Sequence, residues 1–167
     1  MILLSELGIE SKKSKKALFD IVGLRASKGD IASIIVASRT GKSALEIANK
    51  IKGVNVISIT EFVYDDNVKK DMKKLNVSYV ERSPLPLQDM LGVKDALLLF
   101  GAGVKTAVEV SVIAAEKELT KGKVISVAGS KGIDTALVIK PSKASDIANP
   151  DPTKRMEILE ILSFPQR

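Results

Sequence analysis

The chain has 167 residues, 45% of them hydrophobic, and its 26 Lys and Arg against 20 Asp and Glu give a net charge of +6. This size predicts a single domain over residues 1–167 with a real core. The absence of cysteine and histidine excludes disulfides, thiolate and imidazole catalysis, and zinc sites built on those residues, so we expect no metal site.

No apolar run reaches the roughly 18 residues that a membrane helix needs, and residues 1–4 are too short for a signal-peptide core. We therefore expect a cytoplasmic protein without a membrane partner. The positive charge favours anionic partners in general. Aromatic residues make up only 4% of the chain, which argues against a dedicated nucleic-acid binder. We interpret the basic cluster at residues 12–16 as the solvated face of a helix.

Hydrophobic periodicity predicts helices and strands that alternate along the chain. Helices are expected over residues 14–27, 44–51 and 66–75, with two more between 87 and 118 separated by a break at 100–103. Strands are expected over residues 31–37, 54–59, 77–81, 124–128 and 135–139. Residues 156–164 fit either a helix or a strand. This order is typical of an α/β domain with a largely parallel sheet between helices, and the short turn at 129–132 makes the last pair antiparallel.

A loop between the first strand and the following helix is the strongest functional signal. Such loops lie where open α/β sheets bind ligands and where helix N-termini attract anions. This one combines three hydroxyls, two cations and a glycine, a composition that predicts a phosphate-binding site at Ser38, Arg39, Thr40, Gly41, Lys42 and Ser43. The alternative is that Thr40 or Ser43 caps the helix and that Gly41 only forms the turn.

Two better-known nucleotide motifs are incomplete in this chain. A P-loop needs a glycine five residues before Gly41, where the sequence has Val36. Gly101 and Gly103 begin a dinucleotide fingerprint, but Thr106 stands at the third glycine position. The sequence therefore predicts neither a P-loop nor a Rossmann site.

Four segments, at residues 34–44, 56–60, 100–110 and 134–141, resemble the C-terminal domain of pyruvate kinase. They are most similar to the stand-alone archaeal relatives of that domain. The resemblance covers most of the chain after residue 14. It implies a three-layer α/β/α fold with a five-stranded mixed sheet whose last strand is antiparallel. It does not extend to the catalytic barrel, so pyruvate kinase activity is not implied.

The same resemblance implies a ligand. In many pyruvate kinases the matching loop holds a phosphate of a sugar bisphosphate, which carries over to Ser38, Arg39, Thr40, Gly41 and Ser43. For the stand-alone proteins a nucleotide such as flavin mononucleotide (FMN) fits the same loop.

Further residues at the predicted ligand edge would complete the pocket: Thr60, Gly101, Gly103, Lys105, Gly129, Ser130 and Lys131. Each also has an ordinary structural role, as a helix cap, a turn or a solvated charge. Lys105 is the most attractive candidate, because a cation in the first turn of a helix that begins Gly-x-Gly adds to the donors there. We expect Glu109 and Asp134 to be structural.

These features lead to a binding or sensor domain for a phosphorylated small molecule, with FMN as one candidate. The main alternative is an enzyme acting on a phosphorylated metabolite or flavin nucleotide, with Lys105 or a carboxylate as acid or base. Nucleic-acid binding through the surplus charge is a third hypothesis. The sequence leaves open the ligand, any catalytic residue, whether the chain forms a homo-oligomer, and the roles of residues 1–10 and 142–148.

Overall fold

The structure is a computed structural model that describes the backbone of residues 4–164 and the side chains of residues 14–164. Within that range the helices are α1 (Leu4–Ala26), α2 (Lys42–Lys50), α3 (Asp66–Lys74), α4 (Leu91–Leu98) and α5 (Ala102–Glu116). The strands are β1 (Ser33–Ala37), β2 (Asn55–Ile59), β3 (Ser78–Val80), β4 (Val124–Ala128), β5 (Thr135–Lys140) and β6 (Glu157–Ser163).

All six strands belong to one mixed sheet in the order β3-β2-β1-β4-β5-β6. The first four strands along the chain pair in parallel, with β1 between β2 and β4. The strand β5 pairs antiparallel with β4, as the short turn at 129–132 predicts, and β6 pairs antiparallel with β5.

Helices cover the two faces of the sheet, and each face has its own core. Apolar residues of α1, α2 and α3 pack on one face, including Leu18, Ile47 and Met72. Residues of α4 and α5 pack on the other face. Because neighbouring residues of a strand point to opposite faces, Ile34 and Val36 belong to the first core and Ile35 to the second, and all three are fully buried.

Two expectations from the sequence are wrong. The sheet has six strands, not five, because residues 157–163 form β6 along the free edge of β5. The first helix begins at Leu4, well before residue 14, so the cluster at residues 12–16 lies inside α1 and does not open it. Residues 1–3 and the side chains of Lys12 and Lys13 lie outside the described part of the chain.

The order of the strands fixes where a ligand can bind. From β1 the chain proceeds through β2 to β3 on one side, then crosses back to β4 on the other side of β1. The loops after β1 and β4 therefore diverge, which leaves a crevice at the carboxyl ends of the two strands. Ser38 and Gly129 are the first residues after these strands.

Candidate functional site

A cavity of about 330 Å³ opens at the carboxyl ends of β1, β2 and β4. The described residues that line it come from these strand ends, from the segment after β3 and from one side of α5. They are Ala37, Ser38, Arg39, Ile59, Thr60, Glu61, Phe62, Ser83, Leu85, Lys105, Thr106, Glu109, Val110, Ile113 and Gly129. The structure thus brings together five predicted site residues, namely Ser38, Arg39, Thr60, Lys105 and Gly129.

The loop between β1 and α2 is shaped by Gly41. Its φ of 84° lies in the left-handed region that side chains disfavour. A Cβ at this position would lie 2.6 Å from both Met72 Cε and Val68 Cγ1 on α3. Gly41 is therefore needed both for the turn and for the close packing of the loop on α3.

Backbone donors accumulate at this loop. The first hydrogen bond of α2 runs from Leu45 N to Gly41 O. Among the described backbone groups of residues 4–164 and side chains of residues 14–164, no acceptor is bound to the N–H groups of residues 39–44. The hydroxyls of Ser38, Thr40 and Ser43 also have no hydrogen-bond partner within the described range. A run of free donors at a helix N-terminus is an arrangement suited to an anion.

The interpretation of Thr40 or Ser43 as a helix cap is wrong. The N-cap residue of α2 is Gly41, and no side chain accepts a capping hydrogen bond there. By contrast, the N-cap of α3 is conventional, since the Asp65 side chain accepts from Asn67 N at 2.9 Å. None of the loop hydroxyls therefore caps the N-terminus of α2.

Two carbonyl groups at the start of the loop, unlike its N–H groups, accept hydrogen bonds from side chains. The Tyr64 hydroxyl donates to Ser38 O at 3.0 Å and lies 2.6 Å from Ser58 Oγ. Thr60 Oγ1 is 3.5 Å from Arg39 O and accepts from Phe62 N at 3.1 Å. Burial raises the pKa of Tyr64 to about 12, so its hydroxyl keeps its proton.

Tyr64 is a residue that the sequence analysis missed. It follows β2, far from the loop along the chain, and a lone tyrosine between a strand and a helix carries no motif. Only the parallel pairing of β1 with β2 brings it under Ser38.

The loop divides its charged residues between two concave surfaces. Arg39 lines the cavity beside α5, and its guanidinium carbon lies 4.6 Å from the centre of the Phe62 ring. Arg39, Thr40 and Lys42 also line a second hollow of about 510 Å³ beside α3. Neither Arg39 nor Lys42 forms an ion pair with any residue in the described range. The two cations are therefore free to meet an anion.

The ion pair of Lys105 and Glu109 forms one wall of the cavity. Lys105 Nζ lies 2.8 Å from Glu109 Oε1, and Leu87 N donates to Glu109 Oε2 at 3.0 Å. Glu109 is 2% exposed, so its charge is balanced by the lysine and the backbone donor. Both carboxylate oxygens are occupied, as the structural interpretation of Glu109 predicts. The ammonium of Lys105 uses one of its three donors here.

Four predicted pocket residues do not line this cavity. Gly101 is the N-cap of α5, with a φ of 110°, and Ser130 and Lys131 are exposed in the turn before β5. Gly103 packs closely on β5, where a Cβ would collide with Thr135 Oγ1. Gly129 does line the cavity, and a Cβ there would also collide with Gly132 O, so it is required by the turn as well.

The described residues contain neither a metal-binding cluster nor a membrane-spanning helix. Among the residues that the structure describes, no group of three acidic side chains is placed to hold a metal ion. The same part of the chain contains no helix that is both long and apolar enough to span a membrane.

The resemblance to the C-terminal domain of pyruvate kinase rests on short segments of sequence, and it stays a prediction. The chain matches no model of a known protein family.

Proposed function

We propose that the protein binds a phosphorylated small molecule and that the loop at residues 38–43 receives the phosphate. The observation that carries the proposal is the run of backbone N–H groups at residues 39–44 that have no acceptor among the described residues. Such groups bind phosphate oxygens directly, and the dipole of the following helix favours the negative charge. Hydroxyls of Ser38, Thr40 and Ser43 supply additional donors.

Two features of the surroundings support phosphate over a neutral ligand. Arg39 and Lys42 flank the donors without an ion pair inside the described range. The chain as a whole carries a charge of +6, which raises the local concentration of anions. A phosphate at this loop would therefore exchange hydration for several charge-assisted hydrogen bonds.

The rest of the ligand has room beside the loop. The cavity of about 330 Å³ falls at the lower end of the roughly 300–1,000 Å³ typical of small-molecule sites. Its walls are apolar at Ile59, Val110 and Ile113, and Lys105 offers donors. A nucleotide of the size of FMN is our candidate ligand. In this proposal the chain is a member of the family of the pyruvate kinase C-terminal domain.

The state of Glu109 argues against one candidate for the enzymatic alternative. A general base needs a free oxygen near the reacting atom. Both oxygens of Glu109 are already hydrogen-bonded, one to Lys105 and one to Leu87 N. Glu109 is therefore a poor candidate for a general base, and the enzymatic alternative would have to use Lys105 or Glu61, which also lines the cavity.

The first prediction compares a ligand with and without its phosphate. FMN should bind more tightly than riboflavin, by at least about ten-fold, because charge-assisted hydrogen bonds contribute about 1.5–3 kcal/mol each. Quenching of flavin fluorescence in a titration measures both affinities, and the absorbance of freshly purified protein shows any flavin that co-purifies. Equal affinities would rule out a phosphate site. Binding of an oligonucleotide with a steep dependence on salt, and of no flavin, would favour the nucleic-acid hypothesis instead.

A further inference from the structure

The position of Tyr64 beneath the loop defines a chain of hydrogen bonds. The tyrosine is 3% exposed and contacts both Ser38 O and Ser58 Oγ. A phenol has one proton, and a carbonyl oxygen can only accept. Tyr64 must therefore donate to Ser38 O, and the Ser58 hydroxyl must donate to the Tyr64 oxygen.

This contact fixes which way the first peptide of the loop faces. None of the peptide bonds in the described chain is cis. In a trans peptide the C=O and the N–H point in opposite directions. Because Tyr64 holds the Ser38 carbonyl on its own side, the N–H of Arg39 points away from Tyr64. The weak contact from Thr60 Oγ1 to Arg39 O, at 3.5 Å, favours the same arrangement for the next peptide and the N–H of Thr40.

Tyr64 is itself held in place from the other side. Its N–H donates to Glu81 Oε1 at 2.6 Å, and Glu81 forms an ion pair with Lys69 at 3.1 Å. The ring packs edge to face on Tyr79, with 5.8 Å between centroids. Gly41 lies against the same ring, since a Cβ there would be 3.4 Å from Tyr64 Cδ1. The hydroxyl is thus presented to Ser38 by a side chain with little freedom.

We propose that Tyr64 is a positioning residue for the loop at residues 38–43. It keeps the Ser38 carbonyl turned away from an incoming phosphate, so that the site presents the N–H of Arg39 and not a repelling carbonyl oxygen. Tyr64 is almost wholly buried and acts through the peptide between Ser38 and Arg39. This inference rests on the proposed function, because it assigns the donors of the loop to a phosphate.

The test removes only the hydroxyl, in Tyr64→Phe. With FMN as the probe, the affinity should fall by about three- to ten-fold, the range for one hydrogen bond between neutral groups. Riboflavin should bind the variant and the wild type equally, because it has no phosphate to contact the loop. In NMR spectra, the carbonyl carbon of Ser38 and the amide of Arg39 should shift, while strands distant from the loop should not.

Two matched variants separate positioning from general loosening. Tyr79→Phe removes the hydroxyl of the neighbouring, exposed ring and should leave FMN affinity unchanged. Ser58→Ala removes the donor to Tyr64 but leaves the bond from Tyr64 to Ser38, so most of the affinity should remain. Equal losses in Ser58→Ala and Tyr64→Phe would overturn the inference, since both would then act by disturbing the core.

The outcomes also distinguish this inference from the proposed function. If the wild-type chain binds neither FMN nor inorganic phosphate, both are wrong. If the wild type binds FMN through its phosphate and Tyr64→Phe binds it equally well, the proposed function stands and the role of Tyr64 is refuted. A loss of riboflavin affinity that equals the loss of FMN affinity likewise refutes the positioning role.

Discussion

Two glycines share one backbone angle but differ in their surroundings. Gly41 and Gly29 both have a φ of 84°. A Cβ on Gly41 would lie 2.6 Å from side-chain atoms of Met72 and Val68, whereas a Cβ on Gly29 would meet nothing within 4 Å. The pair therefore separates the cost of a strained backbone from the cost of a steric overlap.

Replacing each glycine by alanine measures the two costs. Gly29→Ala should lower the free energy of unfolding by about 1–2 kcal/mol, the cost of a left-handed alanine. Gly41→Ala should add an overpacking cost of about 1–3 kcal/mol, because Val68 and Met72 have to move. Urea unfolding of both variants checks this difference. Equal losses would mean that α3 yields freely and that the packing of the loop on it is loose.

The loop hydroxyls give a prediction in which binding and stability separate. Thr40→Val and Ser43→Ala should each weaken FMN binding by about ten-fold or more, the value of a hydrogen bond to a charged group. Neither should lower the melting temperature appreciably, because Gly41 and not a side chain stands at the N-cap of α2. Ser145→Ala is the control, because it removes a hydroxyl from the short 3-10 helix Ala144–Asp146 after β5, outside the loop. It should leave FMN affinity unchanged. A lower melting temperature with unchanged FMN affinity in both variants would show that this loop does not bind the phosphate.

At the scale of elements, the Lys105–Glu109 pair connects α5 to the segment before α4. Glu109 accepts from Leu87 N, and Lys105 is its only charged partner among the described residues. The two partners differ in exposure, since the Glu109 side chain is 3% exposed and that of Lys105 is 18% exposed. Removing Lys105 would therefore leave a buried carboxylate, whereas removing Glu109 would leave a partly exposed ammonium.

Removing the lysine should cost more than removing the carboxylate charge. Lys105→Met leaves an uncompensated buried carboxylate, a change that typically costs about 3–5 kcal/mol. Glu109→Gln keeps a carbonyl oxygen for Leu87 N and leaves an ammonium that can turn into the open cavity. Its cost should be clearly smaller. Denaturant unfolding of the two variants tests this order. A larger loss of unfolding free energy in Glu109→Gln would contradict it, since the unpaired lysine would then be more costly than the unpaired carboxylate.

The elements also show where sequence patterns fail. Residues 157–163 read Glu-Ile-Leu-Glu-Ile-Leu-Ser, a repeat of three that fits a helix as well as a strand. The strand β6 carries this repeat because its pairing with β5 shifts register twice, between Ala136 and Leu137 and between Val138 and Ile139. Each shift changes the face to which a residue points. Pairing with a partner far along the chain decided the structure, and a local pattern contains no information about that pairing.

The site was predictable to the extent that it follows from topology. Buried parallel strands and the loop after the first of them were readable from the sequence, and with them Ser38, Arg39, Thr60, Lys105 and Gly129 at one cavity. The sequence could not show that the loop divides its residues between two hollows, because this depends on how Gly41 packs on α3. Nor could it reveal the contact of Tyr64 with Ser38.

At the scale of the whole molecule, a charged cluster connects α1, β6 and the segments before β1 and β4. Arg25 lies 2.6 Å from Asp30 and 3.0 Å from Glu160, and Lys123 lies 2.8 Å from Asp30. Hydrogen bonds from Arg25 hold the pKa values of both carboxyl groups below their usual range, and Lys123 adds to the effect on Asp30. Arg25 correspondingly has a raised pKa.

These depressed pKa values predict the direction of acid denaturation. The stabilisation is fully present above the unfolded pKa values, about 3.9 for Asp and about 4.3 for Glu, and is lost as pH falls through the lower folded values. Urea midpoints should therefore decrease from about pH 6 to about pH 3. The decrease should be smaller in the double variant Asp30→Asn with Glu160→Gln. An identical decrease in wild type and variant would assign the acid sensitivity to other carboxylates.

The attachment of the loop at residues 38–43 to β1 has a kinetic consequence. The strand is bonded on both sides, to β2 and β4, and Ile34, Ile35 and Val36 are fully buried. Opening the start of the loop would require breaking two ladders at once, which happens only when the sheet as a whole comes apart. If the loop receives a phosphate as proposed, the ligand meets a loop whose first residue is already anchored, so the start of the loop needs no ordering step. Association should proceed at similar rates for all phosphorylated ligands of one charge, and their residence times alone should rank their affinities.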